Sequence, residues 1–272
     1  MKLKTTFAVH KQDCLIGVPR RVAEGLPTLA AFDPPYNLGQ PYSDYVDRKT
    51  QDEYISFLQQ RVDVTCRHMH PHGSIWIAIN DANVSEVDVM CKGMGLFPRR
   101  KIIWHYTFGQ NGTKNFTASH ITWLYYTMHQ TKFTFNADAI KVPSARQLVY
   151  NDKRQAAGGR LPNDTWVLLP DREPAAFKPV SNTWLFSRVC GTFKDKIEES
   201  PNQMPVELMQ RIVSACSNPG DTVLDIFNGT GTTGVAALSL GRSYIGFDVS
   251  AACVKASIER IATHNFNAYK IA

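Results

Sequence analysis

Thr222-Val223-Leu224-Asp225-Ile226-Phe227-Asn228-Gly229-Thr230-Gly231-Thr232-Thr233-Gly234, followed by Ser243-Tyr244-Ile245-Gly246-Phe247-Asp248, decides the fold. Thr222 to Phe227 is an apolar run of strand length, Thr232 to Leu240 has helical length, and Ser243 to Phe247 reads as a second strand. Between the first strand and the helix, Gly229, Gly231 and Gly234 match the spacing G-x-G-x-x-G. Glycines there permit a tight turn and let a ligand approach the backbone. Asp248 closes the second strand, 19 residues after Gly229, where a carboxylate can accept hydrogen bonds from ribose hydroxyls. This pattern implies a ligand with an adenosine-like ribose. By itself it does not separate a dinucleotide from a nucleoside cofactor without a pyrophosphate, and a bare glycine turn remains an alternative.

Working outward, Val206 to Ala215 reads as a helix, closed by the turn Asn218-Pro219-Gly220-Asp221. In the first half of the chain, Leu29 to Phe32, Ser74 to Ile79, Ile102 to Tyr106 and Ile121 to Tyr126 read as strands. Asp52 to His70 reads as a helix with Ile55, Leu58, Val62 and Cys66 at helical spacing. Strands alternating with helices predict an α/β fold on a mostly parallel sheet. Residues 141–200 differ, holding Gly158-Gly159, scattered prolines and little periodicity. We read 1–140 and 201–272 as two halves of one domain, with 141–200 as an irregular insert.

Asp33-Pro34-Pro35-Tyr36 follows the strand ending at Phe32. That is the carboxyl edge of the sheet, where ligands of α/β proteins bind. The prolines stiffen the turn and remove two N–H donors. The Asp33 carboxylate and the Pro34 carbonyl could then both accept from one NH₂ group, drawing its nitrogen towards a tetrahedral geometry with the lone pair aimed at a methyl donor. Tyr36 offers an aromatic face to an extruded base. Asp-Pro-Pro alone also fits a plain turn after a strand.

Asp33-Pro34-Pro35-Tyr36-Asn37-Leu38 together with Asp225 to Thr233 resembles the amino-methyltransferases of DNA, and the order of the two motifs resembles their β group. The resemblance implies a seven-stranded, circularly permuted, Rossmann-like sheet that binds S-adenosyl-L-methionine, with a small target-recognition insert at 141–200. It implies Asp33, Pro34, Pro35 and Tyr36 as the catalytic motif. It also implies cofactor contacts from Asp13, Cys14, Asp33, Gln203, Phe227, Asn228, Gly229, Thr230, Gly231, Thr232, Thr233 and Asp248. Ser200 and Met204 stand where many members have His and Lys, so only the backbone and Gln203 carry over in that segment. Asp in the catalytic motif favours adenine N6, whereas cytosine-N4 members more often carry Ser. C5-cytosine chemistry needs a nucleophilic cysteine, normally after a proline, and none of the six cysteines follows one. An RNA methyltransferase and a DNA-binding module without catalysis remain alternatives. The group often forms dimers, and some members work beside a restriction enzyme.

The net charge of +6 and pI near 9.0 suit duplex DNA as partner. No Asp or Glu occurs from Val89 to Ala137, while Arg99, Arg100, Lys101 and Lys114 do. Such a run could follow phosphates, and it would equally suit a solvated strand edge. The insert carries ten basic and seven acidic residues, with Lys153, Arg154 and Arg160 among the candidates for DNA contact, a mixture suited to reading base edges. No Cys-x-x-Cys pair, membrane-length apolar run or signal peptide is evident, so neither a metal site nor a membrane partner is expected. A cytoplasmic, DNA-associated protein of a bacterium or phage is the expectation.

Overall fold

The computed structural model describes residues 5–42, 44–105, 118–142, 159–164, 203–264, 266 and 268–270. Most of the 141–200 segment, with Lys153 and Arg154, and also Lys114 lie outside the described residues.

Eight strands form one sheet: β1 (Thr5–Lys11), β2 (Pro27–Phe32), β3 (Ser74–Ile79), β4 (Phe97–His105), β5 (His120–Thr127), β6 (Thr222–Asp225), β7 (Ser243–Asp248) and β8 (Ala268–Lys270). Their order is β4-β5-β3-β2-β6-β7-β1-β8. The expected seven strands are present, with short β8 added at one edge. All pairings are parallel except those of β5, which runs antiparallel to both β3 and β4. Every residue of β3 is buried, as expected for a strand covered on both faces.

Among the described residues, three helices cover each face. Helices α1 (Cys14–Arg21), α2 (Gln51–His68) and α3 (Val84–Gly93) pack with Phe32, Ile75, Ile77 and Phe247. Helices α4 (Val206–Cys216), α5 (Thr232–Ser239) and α6 (Ala251–Thr263) pack with Leu29, Trp76, Trp123 and Val223. Helix α2 begins with a capping box: Glu53 N–H donates to the Thr50 hydroxyl, and Thr50 N–H donates to the Glu53 carboxylate. Strand β6 ends two residues earlier than its apolar run predicts, because the Phe227 N–H turns back to the Asp225 carboxylate at 3.0 Å. Sequence periodicity does not reveal β1, α1, α3, α6 or β8.

At the edge of the sheet, β4 carries Pro98, Arg99, Arg100 and Lys101 in its first half. A register shift between Pro98 and Arg100 leaves Arg99 in a bulge. Proline, bulge and positive charge are the usual means of keeping an edge strand from pairing with another chain. No helix among the described residues is long and apolar enough to cross a membrane.

Candidate active site

After β2 the chain runs outward to β3, and after β6 it runs the other way to β7. The crevice between the carboxyl ends of β2 and β6 is therefore where strand order reverses, the usual ligand position in such sheets. A cavity of about 640 Å³ opens there. Parallel β1, β2, β6 and β7 deliver Asp13, Asp33, Asp225 and Asp248 to this one edge, so two motifs nearly 200 residues apart in sequence share one wall-to-wall space. Of the twelve residues expected at the cofactor, all but Gly231 line it.

The Asp33–Tyr36 turn is held from behind. The Tyr54 hydroxyl donates to the Pro35 carbonyl at 2.7 Å. The side-chain amides of Asn83 and Asn80 donate to the Tyr36 carbonyl at 3.2 and 3.4 Å. The Tyr36 hydroxyl donates to Asp33 Oδ1. Burial, with the Asp33 charge beside it, pushes the Tyr36 phenol well above its usual pKa, so it remains a donor. One oxygen of Asp33 is thereby oriented, and the carboxylate lines the open cavity.

The glycine loop does less with its glycines, and more with its carboxylates, than the motif suggests. Gly229 and Gly231 both adopt left-handed backbone conformations, at φ 48° and 77°. A Cβ on Gly231 would collide with the Ser257 hydroxyl and lie 3.0 Å from its Cβ. One on Gly234 would meet the Tyr244 ring at 2.7 Å. These two glycines serve close packing inside the protein, and only Gly229 faces open space. Asn228 is likewise turned to structure, its Oδ1 accepting from the Tyr244 and Ser257 hydroxyls at 2.8 and 3.2 Å. Thr232 accepts from Arg260 at 2.9 Å.

The Asp248 carboxylate accepts from the N–H groups of Gly229 at 2.7 Å and Ser250 at 2.9 Å, which ties β7 to the loop. Burial raises its pKa. Asp225, buried at the end of β6 where it lines the cavity, is pushed up to about 7 by burial, with hydrogen bonds from Thr233 and Phe227 opposing the rise and the Asp248 charge adding to it.

At the far end, Asp13 caps α1 by accepting from Leu15 N–H at 2.8 Å, and its second oxygen pairs with Arg61 at 2.9 Å. The Arg61 guanidinium lies 3.7 Å over the Phe57 ring, which neighbours Tyr45 and Phe227 at 5.4 and 6.2 Å between centroids. Burial pushes the Cys14 thiol up to about 12, so it stays protonated and unreactive. Asp225, Phe57, Arg61, Tyr42, Asp44 and Tyr45 also line the cavity and were not singled out from sequence. Phe57 and Arg61 share a stripe of α2 beside its buried one. Only the folded sheet edge shows that this stripe meets a cavity.

The basic residues are placed differently. Arg99 donates to the Thr127 hydroxyl at 2.8 Å, to the His129 carbonyl at 2.9 Å and to the Gln130 carbonyl, and covers the Phe133 ring at 4.0 Å. Lys101 and Lys92 both bind Asp88 at 2.8 Å, and Arg100 sits 3.5 Å from Asp164. Because β4 runs parallel in direction to β3, Arg99, Arg100 and Lys101 lie towards the edge opposite the cavity. Arg160 is exposed, bonded to Asn163 at 2.7 Å, and outside the cavity lining. No cluster suited to a metal ion occurs among the described residues.

Residues 28–259 match a family model described as DNA methylase. The chain belongs to the DNA methylase family. It is a DNA methyltransferase of the N6/N4 amino type. It is similar to the type II methyltransferase M.HpaI of Haemophilus parainfluenzae, at 32% identity covering 89% of this chain and 69% of that one. It is also similar to the DNA adenine methyltransferase YhdJ of Escherichia coli K12, at 30% identity covering 93% and 82%. The fold matches that of the PvuII cytosine-N4-specific DNA methyltransferase, with a TM-score of 0.68 at 15% identity over 99% of this chain and 96% of that one. It likewise matches M1.HpyAVI in its complex with S-adenosylmethionine, with a TM-score of 0.60 at 16% identity over 94% and 100%.

Proposed function

We propose that this methyltransferase transfers the methyl group of S-adenosyl-L-methionine to N6 of an adenine extruded from duplex DNA. The observation that carries the reading is the charge of the cavity. Among the described residues, Asp13, Asp33, Asp44, Asp225 and Asp248 line it against one cation, Arg61, which Asp13 already pairs. A dinucleotide pyrophosphate at the start of α5 would face Asp225 and Asp248, whereas a cofactor with a sulfonium and an ammonium finds complementary charge. Gly229, Phe227 and Phe57 leave room and apolar surface for an adenosine.

S-adenosylmethionine would supply an electrophilic methyl group whose sulfur leaves with the bonding electron pair. The protein's part is to present the nucleophile. Asp33 accepts a hydrogen bond from the target amine and disfavours conjugation of its lone pair with the ring. The nitrogen then attacks the methyl carbon and afterwards loses a proton, with the Asp33 carboxylate the adjacent acceptor. The Tyr36–Asp33 bond keeps that carboxylate in one orientation. Adenine as the base is supported by Asp33 in the motif and by the 30% identity to a DNA adenine methyltransferase. Target recognition is assigned to 141–200, between the catalytic half at 1–140 and the cofactor half at 201–272.

Incubation with methyl-labelled S-adenosylmethionine and duplex DNA, followed by nucleoside analysis, should place label on N6-methyladenine. Label on cytosine N4 would overturn the choice of base. Asp33→Ala should still bind the cofactor and lose methyl transfer.

A further inference from the structure

The loop between the catalytic turn and α2 is organised around a buried carboxylate that does not line the cavity. Asp47 is 3% exposed. Its Oδ1 accepts from Asn37 N–H at 2.9 Å, and its Oδ2 accepts from Leu38 and Gln40 N–H at 3.0 Å each. Its own backbone carbonyl accepts from Gly39 N–H at 2.8 Å. Four consecutive amides, 37 to 40, therefore all end on Asp47. Bonds from N–H groups to an ionised carboxylate are the stronger kind, and leaving such donors buried without an acceptor is costly.

A second tie lies beside the first. The Asn37 side chain donates to the Lys49 carbonyl at 2.9 Å and accepts from Lys49 N–H at 2.8 Å. Asn37 itself holds φ 59°, a left-handed conformation that asparagine adopts more readily than other non-glycine residues. Pro41 and Val46 close the loop with an antiparallel bridge.

The position of this loop gives the lock its meaning. It leaves the catalytic turn one residue after Tyr36. Its far side places Tyr42, Asp44 and Tyr45 on the cofactor cavity, and the Asp44 charge acts on Asp248, which lines the same cavity. One carboxylate thus sets both the exit of the catalytic turn and the cavity wall that faces the glycine loop.

We propose that Asp47 is a positioning residue that keeps the Asp33–Tyr36 turn in register with the cofactor wall. The inference rests on the methyltransferase reading above. The test compares the wild-type protein with Asp47→Ala, Asp47→Asn and Asn37→Gly. The readouts are cofactor affinity by calorimetry, kcat and KM for S-adenosylmethionine with duplex DNA, and melting temperature. Displacement of a reacting group by about 1 Å can cost on the order of 100-fold in rate, so Asp47→Ala should lose about that much kcat and also raise KM for the cofactor. Asp47→Asn should fall between, because its amide oxygen can still serve Leu38 and Gln40 but its NH₂ confronts Asn37 N–H. Asn37→Gly keeps the backbone conformation and cuts the tie to Lys49, so it should shift both constants in the same direction by less.

A role in packing alone would lower the melting temperature and leave kcat and KM of the folded protein unchanged; that result overturns the proposal. If Asp47→Ala does not fold, unchanged constants in Asp47→Asn and Asn37→Gly overturn it equally. A wild-type protein that binds the cofactor but methylates no DNA sinks the substrate reading instead. Asp47 is then judged on cofactor affinity, where variants binding as tightly as wild type refute it.

Discussion

Replacing Gly231 and Gly229 by alanine separates two reasons for a glycine in the same loop. At Gly231 two penalties combine. The left-handed φ of 77° costs an alanine about 1–2 kcal/mol. The added Cβ would strike the Ser257 hydroxyl, which must leave its 3.2 Å bond to Asn228, and forced overpacking of this kind costs about 1–3 kcal/mol. The sum is about 2–5 kcal/mol, which for a domain of this size corresponds to a fall in melting temperature on the order of 10 °C. At Gly229 only the backbone penalty applies, since the nearest atom to a Cβ is the Phe227 carbonyl at 3.9 Å, and the loss should be about 1–2 kcal/mol. Thermal melts of both variants without cofactor give the comparison. Measured against Ser257→Gly alone, the double variant Gly231→Ala/Ser257→Gly should show a smaller loss than Gly231→Ala shows against wild type, because the Ser257 hydroxyl and Cβ contacts are gone while the backbone strain and a 3.3 Å approach to the residue 257 Cα remain. Equal losses at the two glycines, or an undiminished loss in the Ser257→Gly background, would refute the packing role assigned to Gly231.

Three further predictions concern pH. With Asp225 raised to about 7, affinity for the cationic cofactor should increase from pH 6 to pH 8, and Asp225→Asn should weaken binding and flatten that dependence in calorimetric titrations. For folding the sign is opposite: the folded pKa lies above the unfolded one, so Asp225 stabilises the apo-protein most at pH below about 4 and loses that contribution as pH rises through 7, and Asp225→Asn should reduce the decline in denaturant melts. Asp88 behaves in reverse. Lys101, Lys92 and Tyr126 overcome its burial and hold it near 2, so its stabilisation is present above about pH 4 and lost as pH falls through 2; Asp88→Asn should destabilise the protein at neutral pH and much less in acid.

What could be read from the sequence divides by range of interaction. Ser74–Ile79, Thr232–Ser239 and Ser243–Asp248 announce themselves through local apolar runs bounded by turn residues, and they fold within a residue of where they were expected. The strand β1 mixes Thr5, Thr6, His10 and Lys11 with Phe7, Ala8 and Val9, and becomes a strand because β7 and β8 flank it. The acid-free run through β4 was ambiguous for a physical reason. A basic, acid-free edge strand and a phosphate track look alike in sequence, and Arg99 and Lys101 turn out to be bound to Thr127 and Asp88. The role of Asp225 is not legible in its motif, since nothing local reports that it is buried near Asp248 and raised to about 7.

The two sides of the proposed site have to agree in position, although the Asp33–Tyr36 turn and the glycine loop at Gly229 lie nearly 200 residues apart in sequence. The sheet solves part of this: β2 and β6 are hydrogen-bonded neighbours, so Asp33 and Asp225 leave adjacent strand ends. Strand pairing sets where those ends lie but not how the turn after Phe32 is aimed. That orientation depends on Tyr54, Asn80 and Asn83 behind the turn and on the loop locked by Asp47 in front of it. The direct methyl transfer proposed above relies on placement more than on any reactive side chain, and the buried Cys14 at about 12 supplies no such nucleophile. Substitutions that leave every cavity-lining residue in place but loosen these supports should therefore cost rate before they cost fold.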